Sequence, residues 1–284
     1  MKIKIITPYF GSWPSWFPFF IKSCENNPDI DWLLIGDQVS PIALPQNVTL
    51  EITTFKDYCE FVSDKLGIVF KPNSVYKLCD LKPALGKIYK EILTDYDFWG
   101  FGDIDLIYGD LQGHINRLNL DGYDAVSFHG HRLSGHLCLF RNDSQMTLAY
   151  QKVKGWKEIL EDPEHRCFDE KHFNGLFISH KSPKRWLTSK LNGHDNFKNR
   201  AFFHEVYSTP YANIEWRDGT SQFPTSWILK DKKLFANDDS GFELPYLHFM
   251  TWKKYWPHDY QFDCNPNKTK DWLIDKKGFH ALNR

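Results

Sequence analysis

The run from Tyr96 to Asp110, Y-D-F-W-G-F-G-D-I-D-L-I-Y-G-D, constrains this chain more than any other stretch. Its first half, with Phe98, Trp99 and Phe101, reads as an aromatic strand. That strand delivers two carboxylates, Asp103 and Asp105, with one apolar residue between them. At a strand end, the period of two puts both acids on the same side. Two acidic groups presented together at the carboxyl edge of a strand suit a hard divalent cation carrying phosphates. D-x-D alone is also common in solvated turns, so the rest of the chain has to decide.

The first 130 residues alternate strand and helix signals. Lys2 to Thr7, Asp31 to Asp37 and Val48 to Thr53 read as strands, and Ser15 to Asn26 as an amphipathic helix. Phe55 to Leu66 is a second helix, closed by Gly67. Asp80 to Leu93 carries the strongest helix pattern: Asp80 as cap, Pro83 in the first turn, and an apolar stripe of Leu81, Leu85, Ile88 and Ile92. Such alternation argues for an α/β fold, a mostly parallel mixed sheet with helices on both faces.

Beyond Asp110 the pattern changes. Asp124 to His129 and His136 to Arg141 are two strands around the loop G-H-R-L-S-G, and Gly155 to Leu160 and Asp169 to Ser179 are helical. Residues 183 to 247 alternate turn clusters with short aromatic strands, a mixed or antiparallel region. No repeat and no low-complexity linker divides the chain. It reads as one domain over residues 1–284, with a nucleotide-type half (1–110) and an elaborated half (111–284).

Composition excludes several classes. A net charge of −1 offers no field for nucleic acid. The six cysteines are at least twenty residues apart, which removes C-x-x-C zinc or redox sites. No apolar stretch reaches eighteen residues, and the N-terminus starts directly on a strand; the chain reads as cytoplasmic with reduced thiols. Aromatic residues reach 17%, which suits sugar-binding surfaces as well as the core.

The first strand with its T-P-Y-x-G loop, a second strand ending at Asp37, and D-x-D after the fourth strand together resemble the GT-A glycosyltransferase fold. L-K-P-A-L-G-K-I-Y (Leu81 to Tyr89) is similar to the basic-x-x-x-G helix of the lipopolysaccharide galactosyltransferase and glycogenin-like families. Y-L-H-F-M-T-W-K-K-Y-W (Tyr246 to Trp256) resembles their C-terminal H-x(4,5)-K-x-W element. The overall flavour is that of bacterial polysaccharide glycosyltransferases.

The resemblance implies a metal-dependent hexosyltransferase using a nucleotide-sugar donor, UDP-galactose being typical, and a glycan acceptor, lipid-linked in lipopolysaccharide or capsule assembly. Mn²⁺ or Mg²⁺ would sit on Asp103, Asp105 and His248 and bridge the donor diphosphate. Lys253 or Lys254 would meet the leaving phosphate, and Lys82, in a helix's first turn, the donor phosphate or sugar hydroxyls. Thr7, Pro8 and Tyr9 would dock the nucleotide, with Tyr9 or Phe10 stacked on the base and Asp37 on ribose or base. In an inverting enzyme Asp169 or Glu170 would be the acceptor base, whereas a retaining one would show no clear protein nucleophile. His129, His131, Arg132 and His136 are candidate sugar contacts. Trp252 to Tyr260 suits either a flap over the phosphates or a weak headgroup-facing surface at the inner membrane face. Two other classes remain: a non-catalytic carbohydrate-binding protein, and another nucleotide-sugar-processing enzyme. Neither G-x-x-x-x-G-K-[ST] nor G-x-G-x-x-G occurs.

Overall fold

Strand β1 (Ile3–Pro8) is buried on both sides, with Ile3 and Ile5 in one core cluster and Ile6 in another. That double burial makes it central in a parallel sheet. The computed structural model describes residues 1–178, 197, 199–238 and 240–282. Residues 183–196 of the turn-rich region and Ser179 at the end of a proposed helix therefore lie outside the described residues.

The strands that follow are β2 (Ile30–Gly36), β3 (Val48–Ile52), β4 (Phe98–Gly102), β5 (Leu106–Tyr108), β6 (Ala125–Ser127), β7 (Leu137–Arg141) and β8 (Ala201–Phe203). All but β5 join β1 in one seven-stranded sheet, in the order β3-β2-β1-β4-β7-β6-β8. Only β7 runs against the others, pairing antiparallel with β4 and β6. Helix α1 (Phe17–Glu25) buries Phe17, Phe20, Ile21 and Cys24 on one face of the sheet. Helix α2 (Phe55–Leu66) buries Tyr58, Cys59, Val62 and Leu66 on the other. Thr54 caps α2 by accepting the Asp57 N–H, and Gly67 ends it in the left-handed region at φ 63°. The mixed, mostly parallel α/β architecture is thus as the alternating pattern demands. No helix among the described residues is long and apolar enough to cross a membrane.

The elaborated half adds a five-stranded antiparallel sheet from β9 (Ser226–Lys230), β10 (Lys233–Ala236), β11 (Glu243–Leu244), β13 (Trp272–Asp275) and β14 (Gly278–Ala281), ordered β11-β10-β9-β13-β14. Its aromatic core takes in Trp16 and Phe19 beside α1. Strand β12 (Tyr246–His248) joins the halves. It pairs antiparallel with β5 and sets His248 opposite Leu106.

Two local expectations are corrected. The 80–93 segment is not one helix but a 3₁₀ stretch (Val75–Ala84), one α-turn, α3 (Leu85–Ile88), and a second 3₁₀ turn (Lys90–Leu93). Pro83 removes a backbone donor there, and Asp80 is not a cap. Its fully buried carboxylate accepts the N–H groups of Arg166 and Phe168 and pairs with Lys77 at 2.9 Å. Ile92 is exposed and Leu93 buried instead. The second correction concerns D-x-D. Strand β4 ends at Gly102, so a bend through Ile104 and Asp105, not the pleat, brings the acids together.

Candidate active site

Asp103 follows the carboxyl end of β4, and Asp105 immediately precedes β5. Because β12 pairs with β5, His248 arrives from 143 residues away, and Phe249 donates its N–H to the Asp105 carbonyl. One carboxylate oxygen from each aspartate and a ring nitrogen of His248 lie within 4.8 Å of one another. His248 Nε2 is 3.5 Å from Asp105 Oδ2, while its Nδ1 meets the Thr209 hydroxyl at 3.2 Å. With Nδ1 engaged, Nε2 is the nitrogen left for a cation, the usual orientation of a ligating histidine. Two carboxylates and one imidazole form a donor set that fits Mn²⁺ and accommodates Mg²⁺ less readily.

Two lysines face this cluster. Lys82 donates to Asp103 Oδ1 and to the Gly135 carbonyl, both at 2.6 Å. Lys253 donates to Asp105 Oδ2 at 2.7 Å. Burial alone would raise the Asp105 carboxyl, but His248 and Lys253 outweigh it and hold it well below the ordinary carboxylate range. Burial likewise opposes the charge on Lys82 and Lys253, and the facing aspartates more than reverse that, holding both above their ordinary values.

Two cavities of opposite character meet on these groups. The first, of 420 Å³, is mostly apolar and is lined by Thr7, Pro8, Tyr9, Phe10 and Trp16. The second, of 330 Å³, is polar and holds His129, Arg132, His136, Asp169, Glu170 and His248. Tyr76, Cys79, Lys82, Asp103, Asp105 and Lys253 line both. Sequence reasoning missed Tyr76 and Cys79, yet the spacing 76, 79, 82 is a period of three. In the observed 3₁₀ stretch, three residues per turn stack them in one row with Lys82. Thr209 and Glu205 were missed as well, and no local signal marks them.

In the first cavity, Thr7 donates to the Gly102 carbonyl at 2.7 Å and ties β1 to the strand bearing Asp103. Tyr9 stacks on Trp13 with ring centroids 5.2 Å apart, whereas Phe10 is buried against Phe55 and Tyr58. Asp37 lines neither cavity. Its carboxylate accepts the Gly11 N–H at 2.9 Å, holding the turn that follows Tyr9, where Gly11 sits at φ 102°. Lys254 also lies elsewhere, beside Tyr255 in a separate groove. Lys82 stands in the last turn of a 3₁₀ stretch, so no helix N-terminus assists it.

In the second cavity Asp169 is buried at 6% exposure. Burial lifts its carboxyl to about 7, against the opposing pull of Lys82. Glu170 packs against Gly135, so close that a Cβ there would overlap its carboxylate. His136 stacks on His248 at 4.0 Å between centroids and bonds Tyr246 through Nε2 at 2.8 Å; burial pushes its imidazole well below the ordinary value. His129 is lowered to about 4 by burial and by Arg132. His131 stands edge-on to it at 4.5 Å. Trp252 and Trp256 are buried in the core, which withdraws both indoles from any headgroup-facing surface.

Fold and site together define an α/β protein whose parallel sheet ends in a carboxylate–imidazole–ammonium cluster between an apolar and a polar cavity. The chain belongs to a family of unknown function, DUF6625, whose model matches residues 5–283. No curated protein matches it. Among solved structures it is similar to mouse xyloside xylosyltransferase 1 in its apo form, at 8% identity over 88% of this chain and 98% of that one, with a TM-score of 0.40. It is similar also to the galactosyltransferase LgtC in complex with donor and acceptor sugar analogs (10% identity, 72% and 74% covered, TM-score 0.37). A glycosyltransferase involved in glycosylation of the major capsid of PBCV-1 follows (9%, 73% and 84%, TM-score 0.38).

Proposed function

We propose that this protein is a metal-dependent glycosyltransferase that moves a sugar from a nucleotide-sugar donor, a UDP-hexose, to a glycan acceptor. The observation that carries this is the meeting of an apolar and a polar cavity on one set of charged groups. A nucleotide sugar has the same tripartite character: a flat base, a diphosphate, and a hydroxyl-rich ring. The base fits the cavity beside Tyr9, whose ring is already stacked and offers a face for stacking. Asp103, Asp105 and His248 would hold Mn²⁺ or Mg²⁺, which supplies charge stabilisation for the departing diphosphate.

The chain's own groups do the rest. Lys253, half exposed on a short turn, can leave Asp105 for a phosphate oxygen. Lys82 stands between Asp103 and the Gly135 carbonyl, at the junction with the sugar side. Asp169, with a pKa near neutrality, is suited to take the proton of an acceptor hydroxyl. Glu170, packed on Gly135, is a positioning neighbour. By its resemblance to bacterial polysaccharide enzymes, we assign the acceptor to a lipid-linked surface polysaccharide, such as lipopolysaccharide or capsule, extended at the inner membrane face.

Calorimetric titration of UDP with and without Mn²⁺, followed by a screen of UDP- and GDP-sugars for metal-dependent hydrolysis, tests the proposal. Metal-dependent UDP binding with turnover of one UDP-hexose is expected. Glycan binding without nucleotide binding would instead make this a carbohydrate-binding protein.

A further inference from the structure

A second aromatic groove, of 450 Å³, lies beside the site and is lined by Tyr211, Trp252, Lys254, Tyr255 and Lys276 among others. Two segments remote in sequence supply its lysines. One is the 3₁₀ turn Lys253–Tyr255. The other is the hairpin turn between β13 and β14, where Asp275 accepts the N–H groups of Lys277 and Gly278. The buried Trp256 indole donates to the Lys276 carbonyl at 3.0 Å, and Tyr260 donates to the Lys277 carbonyl at 2.8 Å. These bonds fix the hairpin turn against the aromatic core before any ligand arrives.

The result is two ammonium groups on one phenol ring. Lys276 Nζ is 4.3 Å from the Tyr255 ring centroid and Lys254 Nζ is 5.1 Å from it. Neither lysine has a carboxylate partner among the described residues. Each cation gains from the ring, and neither has its charge matched by a carboxylate there. An anion seated against them supplies the missing counter-charge, whereas a neutral or apolar occupant does not. Tyr211, at φ 61°, is a second exposed ring on the wall, held by its hydroxyl donating to the Phe223 carbonyl at 3.2 Å. A non-glycine residue held there marks a position specified by its surroundings.

The groove shares no lining residue with the polar cavity, but the two neighbour each other along the chain. Tyr211 is followed by Ala212 and Thr251 preceded by Met250, and both Ala212 and Met250 line that cavity. We propose that this groove is an acceptor subsite for an anionic saccharide unit, its charge met by Lys254 and Lys276 and its ring on Tyr255 and Tyr211. The proposal rests on the glycosyltransferase reading and extends it to the class of acceptor. A glycan reacting beside Asp169 would run out past Met250 into the groove, one or more sugars from the acceptor hydroxyl.

The test is calorimetric titration of the full chain with tri-galacturonate, mannose 6-phosphate and neutral maltotriose, in parallel with UDP and Mn²⁺. At least one anionic sugar should bind and maltotriose should not. The double variant K254Q/K276Q should weaken that binding at least tenfold while leaving Mn²⁺-dependent UDP binding unchanged, which also reports an intact fold. Absence of binding by both anionic sugars, equal binding of maltotriose, or an unaffected double variant would overturn the subsite. Salt-sensitive pelleting with anionic vesicles, lost in the double variant and unaccompanied by sugar binding, would overturn it in favour of a lipid-facing surface. Failure of UDP to bind the wild type would strike the donor reading alone, because the sugar titrations are read separately.

Discussion

Asp105 and Asp169 are two buried carboxylates driven in opposite directions by their neighbours. Asp105 meets His248 and Lys253 and stays ionised; Asp169 is buried with less compensation and sits near neutrality. Replacing Asp105 with Asn should lower Mn²⁺ affinity by at least about 100-fold, and removing the hydroxyl that orients His248 (Thr209→Val) by roughly 10- to 100-fold. Calorimetry with Mn²⁺ reads both, and affinities within twofold of wild type would refute the ligand assignment. For Asp169 the sign is fixed by the direction of its shift. The folded chain binds this proton more tightly than the unfolded one, whose value is the ordinary 3.8. Its stabilising contribution is complete below that value and is lost as pH rises through about 7. In a chelator, Asp169→Asn should therefore flatten the fall in stability between pH 4 and 7. At pH 8 it should be more stable than wild type, by up to a few kcal/mol. Denaturant midpoints at several pH values check this; parallel curves would show Asp169 to be ionised.

The segment from Val75 to Leu93 is the element on which reading and structure diverge most. Its apolar stripe and Pro83 suggest a regular helix, yet tertiary demands on Asp80, Lys82 and Gly86 break it into 3₁₀ and α turns. Gly86 lies under the Trp99 indole, which is fully buried, and a Cβ there would overlap the ring. Gly86→Ala, normally a gain within a helix, should here destabilise by about 1–3 kcal/mol through overpacking. Thermal melts would decide it, and a variant as stable as wild type would mean that Trp99 can yield. The row Tyr76, Cys79 and Lys82 was present in the spacing all along. Only the choice of three residues per turn over 3.6 turned it into a wall of the site.

Across the whole molecule, the segment leading into Asp169 is held by a buried ion pair rather than by its own helix. Lys77 and Asp80 are almost fully buried, and Lys77 also donates to the carbonyls of Ile159 and Glu164. With Asp80 accepting the Arg166 and Phe168 N–H groups, this pair anchors residues 159–168 and sets where Asp169 begins. Asp80→Asn should cost about 3–5 kcal/mol, since it leaves a buried ammonium without its counter-charge. It should also quicken amide exchange over residues 165–173, measured by mass spectrometry. Unchanged exchange there would show that the segment is held by other contacts.

The sequence by itself determined the alternating α/β half, the position of β1, β2 and the D-x-D strand, helix α2 between Thr54 and Gly67, and the candidacy of Asp103 and Asp105. Each of these is written in local signals: hydrophobic period, caps, and short motifs. Lys82, Lys253 and His248 became candidates through the family resemblance of the motifs that carry them. The tertiary structure alone decided that β12 pairs with β5 and so brings His248 to the acids. It also decided that Asp37 and Lys254 turn to other partners, that Asp80 bridges to residue 166, and that Asp169 is buried enough to hold its proton near neutrality. Those outcomes depend on which groups share a desolvated space, and burial and pairing between segments far apart in the chain leave no trace in local spacing.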